Sequence, residues 1–195
     1  MIDKKYTLIF MGNSGCGKGT QANLIEEELK KQGGEVLHIE LGYQFREFLS
    51  TTTYTAKKAR EIAKKGSLQP EFLAVRLWAE VLNSHYSDEK HLIVDGTPRT
   101  IREANVLDDA LKFYGIEKPI VIYLNTSREK ARERMFSRGR SDDTEEKIKN
   151  RLDWFEKDVL PAVNFFKNNS EYNYIEISGD DTIEIITQEI KKQIF

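Results

Sequence analysis

The chain has one cysteine, Cys16, and four prolines in 195 residues. It has no apolar run near the roughly 18 residues that a membrane span requires. A single cysteine excludes an internal disulfide and any cysteine-based zinc cluster. The histidines, His38, His85 and His91, have no ligand-like spacing and read as strand-edge or helix-surface residues. With no Pro/Ser linker, internal repeat or low-complexity tract, one domain is expected over 1–195. Net charge is −2, from 30 basic and 32 acidic side chains, so no global basic field recruits nucleic acid. The apolar run at the N-terminus is too short for a signal h-region. These absences predict a cytoplasmic protein with neither nucleic-acid nor membrane partners. Apolar content is low at 39 %, but charge at 32 % is spread along the chain, as on solvated helices, and the length suffices for a sizeable core.

Apolar runs of strand length lie at 6–11, 35–40, 91–94, 120–124 and 173–177, with helical patterns between them. This alternation predicts a three-layer α/β fold, a five-stranded parallel sheet with helices on both faces, and a ligand at the strands' carboxyl ends.

The first run leads into Gly12-Asn13-Ser14-Gly15-Cys16-Gly17-Lys18-Gly19-Thr20, and Ala22, Ile25 and Leu29 then recur at helical spacing. Strand, glycine-rich turn and helix form the context of a P-loop. Its backbone N–H groups and the positive end of the helix dipole cradle phosphate oxygens, and Lys18 adds a point charge. The hydroxyl of the generic pattern is displaced by one place, from position 19, a glycine, to Thr20. A chance glycine turn is the competing reading.

Residues 41–90 are longer than one crossover needs and read as an inserted subdomain of two or three helices. One ends before Gly66 and one starts at Pro70, with a stripe of Ala74, Leu77, Trp78, Val81 and Leu82. Asp95 ends the third run and is suited to hold Mg2+ through water; an ordinary turn carboxylate is the alternative. Arg99 is predicted to open the next helix, with Ala104, Leu107 and Leu111 inward and Thr100 and Glu103 at capping-box spacing. Thr126 and Glu129 are predicted to cap a helix carrying Arg132, Arg134 and Arg138. Gly139–Asp143 breaks it, and Asp143 with Glu146 starts another, striped by Ile148, Leu152, Phe155 and Val159 and bearing Arg151. Such arginines bind phosphoryl oxygens beside a magnesium nucleotide, or belong to a salt-bridged helix pair with Glu129, Glu133, Glu145 and Glu146. The last helix is predicted from about Asp181, with Glu184 at capping-box distance and Ile183, Ile186, Ile190 and Ile194 facing the sheet.

Together these segments resemble the adenylate kinase family of nucleoside monophosphate kinases over essentially the whole chain. Residues 12–21 are similar to the family's G-x-P-G-x-G-K-G-T-Q loop, with Ser14 for proline. Arg46 matches the arginine of T-G-D-x-x-R. Gly66–Glu71 resembles G-x-L-V-P-D, and Asp95–Arg99 resembles D-G-F-P-R. Arg134, Arg138, Arg140, Asp142, Asp143 and Arg151 match R-x-x-x-R-G-R-x-D-D and the arginine that follows it, a short lid at 138–144.

The resemblance implies ATP binding by Gly15, Cys16, Gly17, Lys18, Gly19, Thr20, Arg134 and Arg138. It implies acceptor binding, within a helical insert at 41–90 and beyond it, by Leu41, Arg46, Ser67, Leu68, Gln69, Gly96, Arg99, Glu103, Arg140 and Arg151. Lys18, Arg99, Arg134, Arg140 and Arg151 are the implied catalytic set, with ATP and Mg2+, and a monomer. Departures from the pattern gather on the side of the acceptor base: Leu41 for threonine, Tyr43 for aspartate, Thr97 for phenylalanine and Glu103 for the glutamine that resembles an adenine reader. A carboxylate only accepts. Glu103 therefore suits guanine N1–H and N2–H, or takes adenine N6–H while facing N1 unfavourably, or only completes the Thr100 cap. Two further readings stay open: a P-loop kinase of a small metabolite hydroxyl, with Asp95 as base, and a nucleotide-binding regulator.

Overall fold

The structure, a computed structural model, describes residues 4–140 and 143–195. The central strand, β1 (Thr7–Gly12), is apolar almost throughout because both of its faces are covered. Leu8 and Phe10 point to one face, where they meet Ala22, Ile25 and Leu29 of α1 (Lys18–Lys31) and Ile186, Ile190 and Ile194 of α9 (Ile183–Ile194). Ile9 and Met11 point to the other. There they join the stripes of α4 (Glu71–His85), α5 (Ile101–Phe113) and α8 (Leu160–Lys167). The remaining strands are β2 (Val36–Glu40), β3 (His91–Asp95), β4 (Ile120–Asn125) and β5 (Asn173–Ser178). All pairings are parallel, in the order β2-β3-β1-β4-β5. The fold is thus the expected five-stranded parallel α/β sandwich of P-loop type. Strand order reverses beside β1, so the glycine loop after β1 opens at the topological switch point.

Between β2 and β3 stand three helices, α2 (Leu41–Ser50), α3 (Tyr54–Lys64) and α4. Leu73, Ala74, Leu77, Trp78 and Leu82 form the buried stripe of α4, and Pro70 occupies its N-cap. Among the described residues no helix is long and apolar enough to cross a membrane.

Several local expectations are corrected. α6 (Arg128–Arg138) is capped by Ser127, whose hydroxyl accepts from Lys130 N at 3.3 Å, and not by Thr126. The Thr126 hydroxyl instead packs against the backbone of Gly179, where a β-carbon on residue 179 would fall 1.9 Å from it. α7 (Glu145–Trp154) follows Thr144, because Asp143 is diverted to arginines. α9 is capped by Thr182, which leaves Ile183 half-exposed instead of on the sheet. α5 is capped by Thr100, so Arg99 precedes the helix and does not open it. His91 is buried and its Nδ1 accepts Tyr6 N–H at 3.0 Å, so it is a core residue and not a surface one. The stripe running through Phe155 and Val159 is not one regular helix: a π-helical turn, Phe155–Val159, joins α7 to α8. Pro161, in the first turn of α8, lacks the N–H that would continue the ladder, and the chain widens before it.

Candidate active site

The glycine loop turns through positive φ at Gly15 and Gly17, 85° and 95°, values that L side chains rarely adopt. Gly15 also has no room for a side chain: a β-carbon would sit 2.4 Å from Ala131 O on α6. The loop is braced by Cys16 N to Asn13 O, 3.2 Å, and by Asn13 Nδ2 to Thr126 O, 3.1 Å. Cys16 faces inward, fully buried, and burial pushes its thiol up despite the opposing Lys18 charge. Only its backbone is left for a phosphate. Lys18 lies back along the loop, with Nζ 3.1 Å from Asn13 O.

The displaced threonine has a steric reason. A β-carbon at position 19 would lie 3.3 Å from Asp95 Oδ2, so a glycine there lets the β3 carboxylate approach the first turn of α1. Asp95 is buried, and Oδ1 has no partner among the described residues. Desolvation pushes its carboxyl up, against the pull of Lys18. An orphaned oxygen beside the phosphate cradle fits a cation. A single carboxylate suits Mg2+, which keeps most of its waters, and among the described residues no three acidic or histidine side chains converge to cage a metal. Thr20 is exposed.

Across the cleft, Gly96, Thr97 and Arg99 follow β3. Arg99 donates from Nε to Gly96 O at 2.8 Å and lies over the Phe45 ring, 5.6 Å from its centroid. Lys18, Gly96, Thr97 and Arg99 line one cleft of about 50 Å3, together with Ser14, Trp154 and Val159. Glu103 is 1 % exposed. Its Oε2 accepts from Arg99 N at 2.8 Å and Thr97 Oγ1 at 3.1 Å, while Thr100 Oγ1 accepts from Glu103 N at 3.2 Å. The reciprocal half of the capping box is thus made one residue upstream, to Arg99. Oε1 is buried without a partner among the described residues, and desolvation outweighs the Arg99 N–H in pushing the carboxyl up.

The insert contributes Arg46 from α2, paired with Glu40 Oε1 at 2.8 Å and half-exposed. Leu41 is fully buried at the start of α2, within reach of Gly96. Ser67 is exposed and Leu68 half-buried. Gln69 does not face the cleft: its amide turns inward to donate to Ala59 O at 2.9 Å.

On the lid side, Arg134 donates to three backbone carbonyls, Cys16 O at 3.3 Å, Gly179 O at 2.6 Å and Asp181 O at 3.0 Å, and so pins α6 to the glycine loop and the β5–α9 turn. Arg138 grips Asp143 through Nε and Nη2, at 2.6 and 3.0 Å, and Arg151 reaches the same carboxylate at 2.6 Å. Burial alone would raise the Asp143 carboxyl, but the combined hydrogen bonds and charges of Arg138 and Arg151 hold it below its ordinary value. Arg140 is exposed, and its carbonyl accepts Asp143 N–H at 2.9 Å. Positions 141 and 142 of the expected lid, Asp142 among them, lie outside the described residues.

Sequence reasoning missed Glu40 as the partner of Arg46 and Trp154 as a cleft wall. Trp154 stands three residues after Arg151, on the same helical face, which is the one signal that pointed to it.

A sequence model of the adenylate kinase family matches residues 10–171. The adenylate kinase of Prochlorococcus marinus (strain MIT 9515) is 34 % identical over 191 residues, covering 97 % of this chain and 99 % of that one. Adenylate kinase 1 of Nostoc sp. (strain PCC 7120) is 34 % identical over 185 residues, 94 % and 96 % of the two chains. That of Oenococcus oeni is 30 % identical over 188 residues, 96 % of each. With a strand–glycine loop–helix opening on a cleft that Lys18 and Arg99 share, and likeness along nearly the full length, the chain belongs to the adenylate kinase family of ATP:nucleoside-monophosphate phosphotransferases.

Proposed function

We propose that the protein moves the γ-phosphoryl group of ATP reversibly onto a purine nucleoside monophosphate: AMP is the default that the family implies, and GMP is the competitor that Glu103 supports. The observation that supports this reading best is the shared cleft, in which Lys18 of the glycine loop and Arg99 beyond β3 face one space. A donor phosphate on Lys18 and an acceptor phosphate on Arg99 would then be neighbours. The acceptor phosphate carries its second charge above a pKa of about 6 and is already nucleophilic, so no general base is required. An oxygen of that phosphate bonds to the γ-phosphorus as the bond to the β–γ bridging oxygen breaks, and ADP leaves.

The work left to the protein is alignment and charge neutralisation. Lys18 holds the β and γ phosphates. Arg99 and Arg46 hold the acceptor's phosphate, and Arg46 must give up Glu40 to do so. Arg140 and Arg151 neutralise the group in transfer, and Arg134 and Arg138 serve the donor. The short lid at 138–144 excludes water that would otherwise hydrolyse ATP. Mg2+, when bound, neutralises donor phosphate charge, and Asp95 would hold it through water.

Which base is accepted turns on Glu103. Its unpartnered Oε1 can only accept while ionised, which supports guanine, with donors at N1 and N2, over adenine, whose N1 is an acceptor. An ADP-release assay with AMP, GMP, CMP, UMP and their deoxy forms tests both levels. Turnover confined to purine monophosphates is expected. No turnover with any of them, beside tight ATP binding, would reject the kinase reading.

A further inference from the structure

The insert and the helix that carries Arg151 are tied together across the cleft by contacts that phosphate chemistry does not explain. Asn150 Nδ2 donates to Lys65 O at 2.7 Å, and Trp154 Nε1 donates to Gly66 O at 3.2 Å. Both carbonyls belong to the chain leaving α3, and both donors lie on one face of α7, either side of Arg151. Packing at this point is tight. Gly66 has φ 65°, and a β-carbon there would meet Lys147 Cα and Cβ at 2.9 Å. The Trp154 ring also lines the cleft shared by Lys18 and Arg99. The last carbonyls of a helix lack partners within it, so the Asn150 donor answers a need at Lys65, the C-cap of α3, and Trp154 meets the next carbonyl along, Gly66 O.

We propose that Asn150 and Trp154 form a clasp that seats the insert against α7 and sets its distance from Arg151, making both of them positioning residues for the acceptor. The inference rests on the reading of the insert as the acceptor-binding element. Seating the insert fixes Arg46 relative to Arg99 and Arg151. Losing the clasp therefore weakens acceptor binding and leaves the donor side, built from the glycine loop and α6, untouched.

Trp78 and Trp154 are the only tryptophans, so 5-fluorotryptophan labelling of the full chain gives two fluorine resonances, with Trp154 assigned by its loss in Trp154→Phe. Asn150→Ala leaves both rings in place. It is expected to shift the Trp154 resonance in the free enzyme and to raise KM for the accepted monophosphate about fivefold, the effect of one ordinary hydrogen bond, with KM for ATP changed by less than about twofold. Trp154→Phe should show the same split. Equal rises in both KM values, or an unmoved resonance with unchanged KM, would overturn the clasp. Arg46→Ala, measured alongside, tests the underlying reading separately: an unchanged monophosphate KM in that variant rejects the insert as the acceptor site, whatever the resonance does.

Discussion

Thr97 donates its hydroxyl to Glu103 Oε2 at 3.1 Å, which links two of the positions at which the acceptor side departs from its family's pattern. The carboxylate is therefore oriented, with one oxygen engaged by Thr97 and the Arg99 N–H and the other buried with no partner among the described residues. Glu103→Gln restores an amide that both donates and accepts. The ratio of kcat/KM for AMP over GMP should rise by about tenfold or more, since a matched polar contact discriminates strongly. Thr97→Val in the same background should change that ratio non-additively, because the two side chains touch. An unchanged AMP/GMP ratio in Glu103→Gln would remove Glu103 from base selection.

Burial raises the Glu103 carboxyl in the fold, so the folded protein binds this proton more tightly than the unfolded chain does. The associated stability is full below the unfolded carboxylate pKa and is lost as pH rises through the folded one. Above the unfolded carboxylate pKa the fold thus carries a cost, of a buried charge or of the proton that neutralises it, that Glu103→Gln removes. Thermal melts should show Glu103→Gln above the parent at pH 7, with the gap closing on acidification through the carboxylate range. A gap that widens at low pH would contradict this.

Arg99 engages Gly96 O and the Phe45 ring from beyond β3, with no contact to the glycine loop among its hydrogen bonds. Arg99→Ala should lower turnover by about two orders of magnitude or more while ATP affinity, followed by calorimetry, stays near that of the parent. Near-normal turnover would sink its assignment to the acceptor phosphate.

Asp143 is shared by Arg138 and Arg151, and its side chain is only 1 % exposed. Asp143→Asn removes the negative charge that both guanidiniums hold. A loss of about 3 kcal/mol in denaturant unfolding is expected, the scale of breaking a buried pair from one side. Saturating ATP should recover part of it, because donor phosphates replace the missing charge. Full parental stability in the variant would show the pair to be a solvated ornament.

Much of this architecture is legible from residue order. Continuous apolar runs mark strands covered on both faces, and the glycine at position 19 now has a cause in the approach of Asp95. Where two cap candidates adjoin, as at Thr126 and Ser127, residue type alone does not choose between them, and the cap falls one residue on. The π-helical turn before Pro161 left no periodic trace. Gln69 fits an acceptor-wall motif, yet its amide is spent on Ala59 O inside the insert. Trp154 matters through what it meets across 88 residues of chain, Gly66 O, and its spacing from Arg151 marks the helical face but not that partner.

The inward turn of Cys16 has one more consequence. The only thiol of the chain sits beneath the phosphate cradle, fully buried and with its ionisation suppressed. Alkylating reagents can reach it only when the loop lifts away from the core. Its labelling rate is therefore a natural clock for opening of the glycine loop, and ATP should slow that clock.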